Sequence, residues 1–430
     1  MPEPSVLSFE QARHTVEQHA AAVHARAIEK IELLKCVGRV LAEEVFADRD
    51  FPPFPRAARD GYAVRASDLA QLPARLRVIG EIRAGAPADE LPKHLGPGQA
   101  AVIMTGAPAP HGADSVVMVE YTSRDGDEVE ITKGIGAGDN IVPPGSEARR
   151  GSLLLPAGAR LSEAAIAILA SVGKSQVSVY AKPRVAVLAT GDEIVAIDVQ
   201  PGPTQIRNSN TYSLAAQILA AGGQPVLLPV APDEPARLSE LIETGLRYDL
   251  LLLAGGVSMG KYDLVEQVLE DFQAEFFFTG AQIQPGRPIV FGRVVTPPRV
   301  PVLVGASQPA RPSQGPSKTT YFFGLPGNPV STMVTFELFA RPMLEALAGM
   351  SPRKLVFTRA RLKADIKTKT GLKRFLPAML SGEFENAEVE LAPWHGSGDI
   401  AATARSNCYV VIPPDRDRIP AGEWVSILLR

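Results

Sequence analysis

The sequence predicts a multidomain protein of the α/β plus β class. A chain of 430 residues is too long for one domain of typical size, which is roughly 150 residues. Strand-type and helix-type segments alternate between residues 183 and 348, which is typical of a mostly parallel sheet covered by helices. Short β-type runs broken by glycine and proline occupy much of the rest. We therefore expect a central α/β domain accompanied by separate β domains.

Composition excludes several classes of protein. The chain has 44 Lys and Arg against 47 Asp and Glu, a balance that argues against a general polyanion binder. Its two cysteines, Cys36 and Cys408, exclude a disulfide framework and a multi-cysteine metal site. The first residues do not resemble a secretory signal, and no apolar run approaches the roughly 20 residues of a membrane span. We expect a cytoplasmic location.

Two helices are predicted before the α/β segment. Residues 8–31 carry apolar side chains at helical spacing, and Ser8 with Gln11 forms the pattern of a capping box. Residues 152–172 predict a second helix, with Ser162 as its N-cap.

The segment between these helices is of β type. Val116–Tyr121 and Val129–Thr132 flank an Arg-Asp-Gly turn and predict a hairpin. We therefore expect an inserted β domain at 46–146, which interrupts a discontinuous N-terminal domain made of 1–45 and 147–182.

Residues 183–348 predict the central α/β domain. Its predicted strands are Arg184–Ala189, Gln224–Val230, Asp249–Ala254 and Tyr321–Gly324, and its predicted helices lie near 210–221, 235–246, 262–272 and 330–346. Residues 293–320 are rich in proline and serine and predict an inserted surface loop.

Residues 349–430 predict a small C-terminal β domain of barrel-like type. The predicted strands are Lys354–Leu362, Phe375–Leu380, Cys408–Ile412 and Trp424–Leu429.

Three turns follow strands of the central domain. They are Thr190-Gly191-Asp192-Glu193, Gly255-Gly256-Val257-Ser258 and Leu325-Pro326-Gly327-Asn328-Pro329, the last leading into a helix with Ser331. Ligands of open parallel sheets bind at the carboxyl ends of the strands, where glycine allows close approach and free N–H groups attract phosphate. The turns therefore predict a site for a phosphate-bearing or oxyanionic ligand. The alternative is that they only end strands. None matches a P-loop or a dinucleotide fingerprint.

Carboxylates gather at the same edge. Asp192 and Glu193 follow the first strand, Asp233 follows the second, and Asp263 lies beyond the third. Acidic side chains beside a phosphate site are explained if Mg²⁺ bridges the two. Acidic residues at helix starts are also ordinary caps, so this alternative stays open for each residue alone.

An ordered set of motifs runs along the chain. They are DGYAV (60–64), MTGAPAPHGADSVVMVE (104–120), TGDEI (190–194), IRNSN (206–210), GGVSMGKYD (255–263), QPGRP (284–288) and GLPGNPVS (324–331). This set resembles the molybdopterin molybdenumtransferase family, which includes MoeA and the gephyrin E domain. The resemblance extends from about residue 8 to the C-terminus.

The resemblance implies a function in molybdenum cofactor biosynthesis. Members of the family insert molybdate into adenylylated molybdopterin with Mg²⁺ and release AMP. It also implies an elongated homodimer, a central domain of molybdopterin-binding type and, as a partner, the adenylyltransferase of the same pathway. Two rival functions remain: the adenylyltransferase step itself, and a non-catalytic molybdopterin-binding scaffold or carrier.

The resemblance also implies roles for individual residues. It assigns catalytic roles to Asp60, Thr105, Glu193, Asp233 and Asp263, and metal binding to Asp263 with Glu193 or Asp233. It assigns binding of the pterin phosphate and AMP to Gly255, Gly256, Val257, Ser258, Pro326, Gly327, Asn328, Pro329 and Ser331. It assigns molybdate binding to Arg287, Ser331 and Ser397. The family places the inserted β domain of one subunit over the α/β crevice of the other.

The chain departs from the family pattern where molybdate would bind. Gln284 stands where a lysine is frequent, and Pro377 stands where an arginine is common. With a neutral Gln284, we expect Arg287 to carry more of the anion binding, because its planar guanidinium suits an oxyanion. The alternative is that Arg287 is a solvated loop charge.

Overall fold

The computed structural model describes residues 5–23, 27–87, 94–256, 264–296, 317–351 and 353–430. Three larger sheets organise this part of the chain, and we name them the amino-proximal sheet, the central sheet and the terminal barrel. No helix within these ranges is long and apolar enough to cross a membrane.

The amino-proximal sheet lies within the first 182 residues. The elements there are β1 Val6–Leu7, α1 Phe9–Ala21, β2 Ile28–Glu32, β3 Val45–Phe46, β4 Arg56–Ala57, β5 Gly61–Val64, β6 Ala74–Ile82, β7 Gln99–Ile103, β8 Ser115–Met118, β9 Thr122–Asp125, β10 Glu128–Ile131, β11 Ile141–Val142, β12 Leu153–Leu155, α2 Glu163–Ser171 and β13 Gln176–Tyr180. The sheet has the order β8-β5-β7-β6-β10-β9. Outside it, β2 pairs with β13 and β3 with β12, so segments before and after the sheet meet.

The first helix is shorter than the sequence predicts. Its capping box between Ser8 and Gln11 is present as predicted, but α1 ends at Ala21 and Ile28–Glu32 is a strand. The alanine-rich sequence favours a helix locally, whereas the antiparallel ladder with β13 satisfies the backbone of β2 over a long sequence separation. The prediction of a helix over 8–31 is therefore wrong beyond Ala21 for the described residues.

Two further predictions need correction in this region. The turn at Gly126 is a hairpin turn, but its first strand is Thr122–Asp125, because Ser115–Met118 pairs with β5 instead. The second helix spans Glu163–Ser171 with the predicted N-cap Ser162, while Leu153–Leu155 pairs with β3 as a strand. Both errors arise from strand pairing with residues distant in sequence.

The central sheet is mostly parallel, as predicted. The elements are β14 Arg184–Ala189, β15 Ile194–Val195, β16 Ile206–Arg207, α3 Asn210–Ala220, β17 Gln224–Leu227, α4 Pro235–Gly245, β18 Leu250–Ala254, α5 Leu264–Asp271, β19 Glu275–Phe278, β20 Gly280–Ala281, β21 Ile283–Gln284, β22 Val290–Thr296, β23 Lys318–Leu325, α6 Pro329–Thr335, a π-helix at Phe336–Ala340 and α7 Arg341–Leu347. The order is β17-β14-β18-β23-β22-β19, with β17, β14, β18 and β23 parallel.

The predicted surface loop at 293–320 is wrong at both ends. Residues up to Thr296 belong to β22, and residues from Lys318 belong to β23, to which β22 is antiparallel. The prolines and serines that motivated the prediction lie largely at 297–316, outside the described residues. The strand ends are Val-rich and Thr-rich, which suits a paired strand.

The terminal barrel is a closed sheet. The elements are β24 Phe357–Leu362, β25 Ile366–Lys367, β26 Lys373–Ser381, β27 Glu388–Leu391, α8 Ile400–Ala404, β28 Cys408–Ile412, β29 Arg418–Ile419 and β30 Trp424–Leu429. The order β26-β27-β24-β30-β28 closes because β28 also pairs with β26. The short strand β21, which follows the central sheet, adds to β26 in parallel.

A shared core joins these units. Alternate residues of β18 point to opposite faces of the central sheet, so Leu250 and Leu252 belong to one apolar cluster and Leu251 and Leu253 to another. The first cluster also contains one face of α1 and barrel residues such as Tyr409. The terminal barrel and α1 therefore pack against the same face of the central domain.

A substitution at Gly61 in β5 would test how tightly the amino-proximal sheet is packed. A Cβ at Gly61 would lie 1.8 Å from the carbonyl oxygen of Val117 on β8. Gly61→Ala should therefore lower the free energy of unfolding by about 1–3 kcal/mol, the usual cost of overpacking. The measurement is urea denaturation followed by circular dichroism.

Gly134→Ala is the matched control for this variant. The nearest atom to a Cβ there is Leu72 Cδ1 at 3.4 Å, an ordinary contact. Its effect should stay within about 0.5 kcal/mol. Equal stability of the two variants would contradict the packing described for β5 and β8.

Candidate functional site

A cavity of about 900 Å³ opens at the carboxyl edge of the central sheet. Its walls come from the three turns that follow β14, β18 and β23. The sequence-predicted site residues that line it are Glu193, Asp233, Gly255, Gly256, Pro326, Gly327, Asn328 and Pro329. The parallel strand order brings these turns together although they are far apart in sequence. A cavity therefore lies at the edge of the sheet where the sequence predicts the site.

The glycine turn after β18 lies directly against the turn after β14. Gly255 and Gly256 have positive φ angles of 94° and 67°, which favour glycine. A Cβ at Gly256 would lie 2.7 Å from the hydroxyl of Thr190 and 2.6 Å from Val265. Any larger residue at Gly256 would displace the wall of the cavity.

Thr190 is a cavity residue that the sequence analysis left without a role. Its side chain is buried, and its hydroxyl has no hydrogen-bond partner in the described part of the chain. A buried hydroxyl without a partner costs free energy, which is a common feature of positions that a ligand completes.

The acidic side of the cavity is formed by residues after β14 and β17. The backbone N–H of Asp233 donates to the Asp192 carboxylate at 3.1 Å, which draws the two turns together. Burial, followed by the negative charges of Asp192 and Glu193, raises the pKa of the Asp233 carboxyl. The same repulsion favours a cation at this side of the cavity.

The acids do not by themselves make a closed metal site. Among the residues that the structure describes, no three His, Cys, Asp or Glu side chains converge closely enough to hold a metal ion. Their oxygen donors are those that Mg²⁺ prefers, and Mg²⁺ commonly takes one or two carboxylates together with substrate phosphates. The arrangement is thus compatible with a metal that arrives with a phosphate ligand.

The segment between β16 and α3 supplies polar groups that sequence reasoning missed. Arg207, Asn208, Ser209 and Asn210 line the cavity, and they belong to the IRNSN motif. The Asn210 side-chain amide donates to the carbonyl oxygen of Gly327 at 2.6 Å. This bond holds the turn after β23 in position. The sequence signal for these residues was the run of polar side chains in the motif. The prediction assigned roles only to the turns that follow strands of the central sheet, so these residues received none.

A second group of predicted residues lies beside α6. The backbone N–H of Val330 donates to the carbonyl oxygen of Ser397 at 3.0 Å, so a loop of the terminal barrel contacts the start of α6. Ser331 is buried, and a Cβ on Gly286 would lie 3.6 Å from its carbonyl oxygen. Arg287, which follows Gly286 in the chain, is exposed. Ser331, Ser397 and the QPGRP segment therefore meet at one junction.

Asp60 and Thr105 do not line the cavity of their own chain. They lie at one end of the amino-proximal sheet, where Thr105 donates its backbone N–H to Asp60 Oδ1 at 2.6 Å and its hydroxyl to the same oxygen at 2.8 Å. The backbone N–H and then the hydroxyl lower the pKa of the exposed Asp60 carboxyl. The pair is a preformed, ionised group at a surface.

Three of the predicted site residues belong to the segment that follows Gly256. Val257, Ser258 and Asp263 lie outside the described residues. Their expected contact with the cavity stays a prediction from the sequence.

Comparison with known proteins covers nearly the whole chain. The chain matches the MoeA N-terminal region (domain I and II) over residues 7–173, the probable molybdopterin binding domain over 186–346, and the MoeA C-terminal region (domain IV) over 359–429.

Relatives and solved structures agree with these matches. The molybdopterin molybdenumtransferase of Nostoc sp. is 35% identical over 93% of this chain and 88% of its own length, and that of Bacillus subtilis is 31% identical over 93% and 89%. The crystal structure of a molybdopterin biosynthesis MoeA protein from Pyrococcus horikoshii is 28% identical, with a TM-score of 0.74 and coverage of 99% of this chain and 100% of that chain. The resemblance found in the motifs is therefore confirmed, and the chain belongs to the molybdopterin molybdenumtransferase family of transferases.

Proposed function

We propose that this chain inserts molybdate into adenylylated molybdopterin and releases AMP. The observation that carries the proposal is the cavity at the carboxyl edge of the central sheet. It is lined by the glycine-containing turns after β18 and β23 and by the carboxylates of Glu193 and Asp233. A phosphate-bearing ligand fits this division of chemistry, and family membership supplies the identity of the ligand.

The two turns after β18 and β23 hold the phosphates of the pterin and of AMP. Gly255 and Gly256 let the turn after β18 pack closely against Thr190 in the cavity wall, and the bond from Asn210 to Gly327 keeps the opposite turn in place before binding. Arg207 of β16 also lines the cavity, and its guanidinium donates to the Val199 carbonyl oxygen at 3.1 Å and to Gln200 Oε1 at 3.0 Å. A preorganised wall avoids part of the ordering cost of binding.

Glu193 or Asp233, together with Asp263, would hold Mg²⁺, and the ion would supply charge neutralisation for the phosphoanhydride. In the free protein, burial and the neighbouring carboxylates favour a proton on Asp233. That repulsion makes the acidic side receptive to a cation.

Molybdate is received at the junction of the terminal barrel with α6. Arg287, Ser331 and Ser397 would supply a guanidinium and two hydroxyl groups there. Pro288, which follows Arg287, lines the cavity. The junction therefore adjoins the pterin site, as transfer between the two requires.

Asp60 and Thr105 act on the cavity of a second copy of the chain. Their hydrogen bonds keep Asp60 ionised and oriented at a surface, although they line no part of their own cavity. A homodimer with two-fold symmetry would provide two equivalent shared sites.

Two alternatives concern the same cavity. An adenylyltransferase would use the central domain without needing the barrel contact at α6, and a scaffold or carrier would bind molybdopterin without turnover. Release of AMP on addition of molybdate separates the proposed reaction from both.

Purified protein given adenylylated molybdopterin, Mg²⁺ and molybdate should release AMP, and Glu193→Gln should slow this release by roughly tenfold or more. The reason is that the loss of a charged partner costs about 1.5–3 kcal/mol. The measurement is AMP quantified by chromatography over time.

Asp198→Asn is the control, because it removes one exposed carboxylate from the loop after β15 that does not line the cavity. It should leave AMP release unchanged. Binding of the pterin by wild type without AMP release would instead favour a carrier. Equal rates of AMP release by Glu193→Gln and Asp198→Asn would show that Glu193 has no role in the reaction.

Mixing Asp60→Ala chains with Glu193→Gln chains should raise activity above that of either variant alone. With random subunit exchange, half of the dimers are mixed and each has one site with both acids, so activity should approach about a quarter of wild type. The measurement is AMP release after exchange.

Exchange itself is verified with differently tagged chains. If tagged chains exchange fully and activity stays at the level of the parent variants, both acids do not belong to one shared site. Activity of Asp60→Ala chains alone at the wild-type level would also contradict the proposal.

A further inference from the structure

Arg374 is a buried arginine with an unusual set of partners. It is the second residue of β26, only 6% exposed, and lies opposite Gln284 in the parallel β21–β26 pair. Its Nε donates to Gln284 Oε1 at 2.8 Å, and its Nη1 donates to the carbonyl oxygen of Leu372 at 3.1 Å. No carboxylate forms an ion pair with it in the described part of the chain.

A buried charge normally has a charged partner, because two neutral oxygens do not offset the loss of hydration of a guanidinium. Arg13, which is equally buried, has Glu17 at 2.7 Å. The neighbouring Lys373 is paired with Glu10 of α1. Arg374 thus differs from Arg13 and Lys373 in retaining an uncompensated positive charge, and burial lowers the pKa of its guanidinium without any opposing acid.

The position of Arg374 connects this charge to the molybdate junction. Gln284 begins the QPGRP segment, in which Gly286 packs against Thr335 and the Ser331 carbonyl oxygen. The same segment ends at Pro288 in the cavity wall. A guanidinium fixed through Nε presents its remaining N–H groups in a plane, which suits two oxygens of a tetrahedral anion.

We propose that Arg374 binds the doubly charged tetrahedral oxyanion at the junction, with Gln284 as its positioning residue, and that this oxyanion is molybdate. The proposal rests on the proposed function. The family pattern has a lysine frequently at the position of Gln284. In this chain the neutral amide orients a neighbouring arginine, so the positive charge comes from the barrel strand.

The first test measures molybdate binding by equilibrium dialysis, without the pterin. Arg374→Gln should weaken binding roughly tenfold to hundredfold, the loss expected for a charge-assisted hydrogen-bond partner. The molybdate affinity of Arg374→Lys should lie between those of wild type and Arg374→Gln, because lysine keeps the charge and lacks the planar guanidinium. Arg359→Gln removes an exposed arginine from β24 of the same barrel and should bind as wild type.

Gln284→Glu tests the proposal even if the buried Arg374 variants fail to fold. Gln284 is exposed, and a carboxylate there would pair with Arg374 and compete with the oxyanion. Gln284→Glu should abolish molybdate binding and raise the unfolding temperature. Gln282→Glu introduces the same charge two residues away, at an exposed side chain without a contact to Arg374 in the described structure. It should keep most of the binding.

Several results would overturn the proposal. One is unchanged molybdate binding in folded Arg374→Gln, and another is equal loss of binding in Gln284→Glu and Gln282→Glu. Preferential binding of inorganic phosphate, in competition with molybdate, would assign the site to a substrate phosphate instead. Dialysis needs no turnover, so failure of AMP release in wild type would refute the proposed function without deciding the role of Arg374.

Discussion

The apolar cluster on one face of the central sheet is the constraint on which the arrangement of the site depends. It contains Val16 from α1, Leu252 from β18, Phe339 from the π-helix and Tyr409 from the barrel, all almost completely buried. Because residues from both ends of the chain share this core, the terminal barrel has a defined position against the central domain. Burial raises the pKa of Tyr409 to about 12, so this residue acts in the core as a neutral aromatic side chain.

The position of the barrel then determines the junction at which we propose that the oxyanion binds. A barrel loop reaches α6 through the bond from Val330 to Ser397, and β21 leaves the central domain to pair with β26. Neither contact could form if the barrel were a freely tethered domain. The junction proposed for the oxyanion is therefore a product of packing between domains, whereas the cavity at the carboxyl edge is a product of strand order within one domain.

This distinction explains what could be predicted from the sequence. Strands such as Cys408–Ile412 and Trp424–Leu429 were predicted with their observed bounds, because an apolar run between breakers is a local signal. The carboxyl-edge turns were also predictable, because parallel topology brings them together whatever the details. Ile28–Glu32 was not, since its strand state depends on pairing with Gln176–Tyr180 and its local composition favours a helix.

The residues that sequence reasoning missed at the site share a physical property. Asn210 holds Gly327 in position, and the proposed role of Arg374 depends on its bond to Gln284, so each role depends on a side-chain contact between distant segments. No local pattern encodes such a contact.

The protein leaves two charged groups without an opposite charge in the described part of the chain. Asp233 is held beside two other carboxylates, and Arg374 is buried beside two neutral oxygens. Each arrangement destabilises the free chain, and rearranging nearby side chains into ordinary ion pairs would relieve it. The core described above keeps the two groups apart, on the cavity wall and on the barrel. A cation beside Asp233 and an oxyanion beside Arg374 would each supply the opposite charge that the free chain lacks. Positions where a sequence departs from stable packing are those where ligand binding is expected.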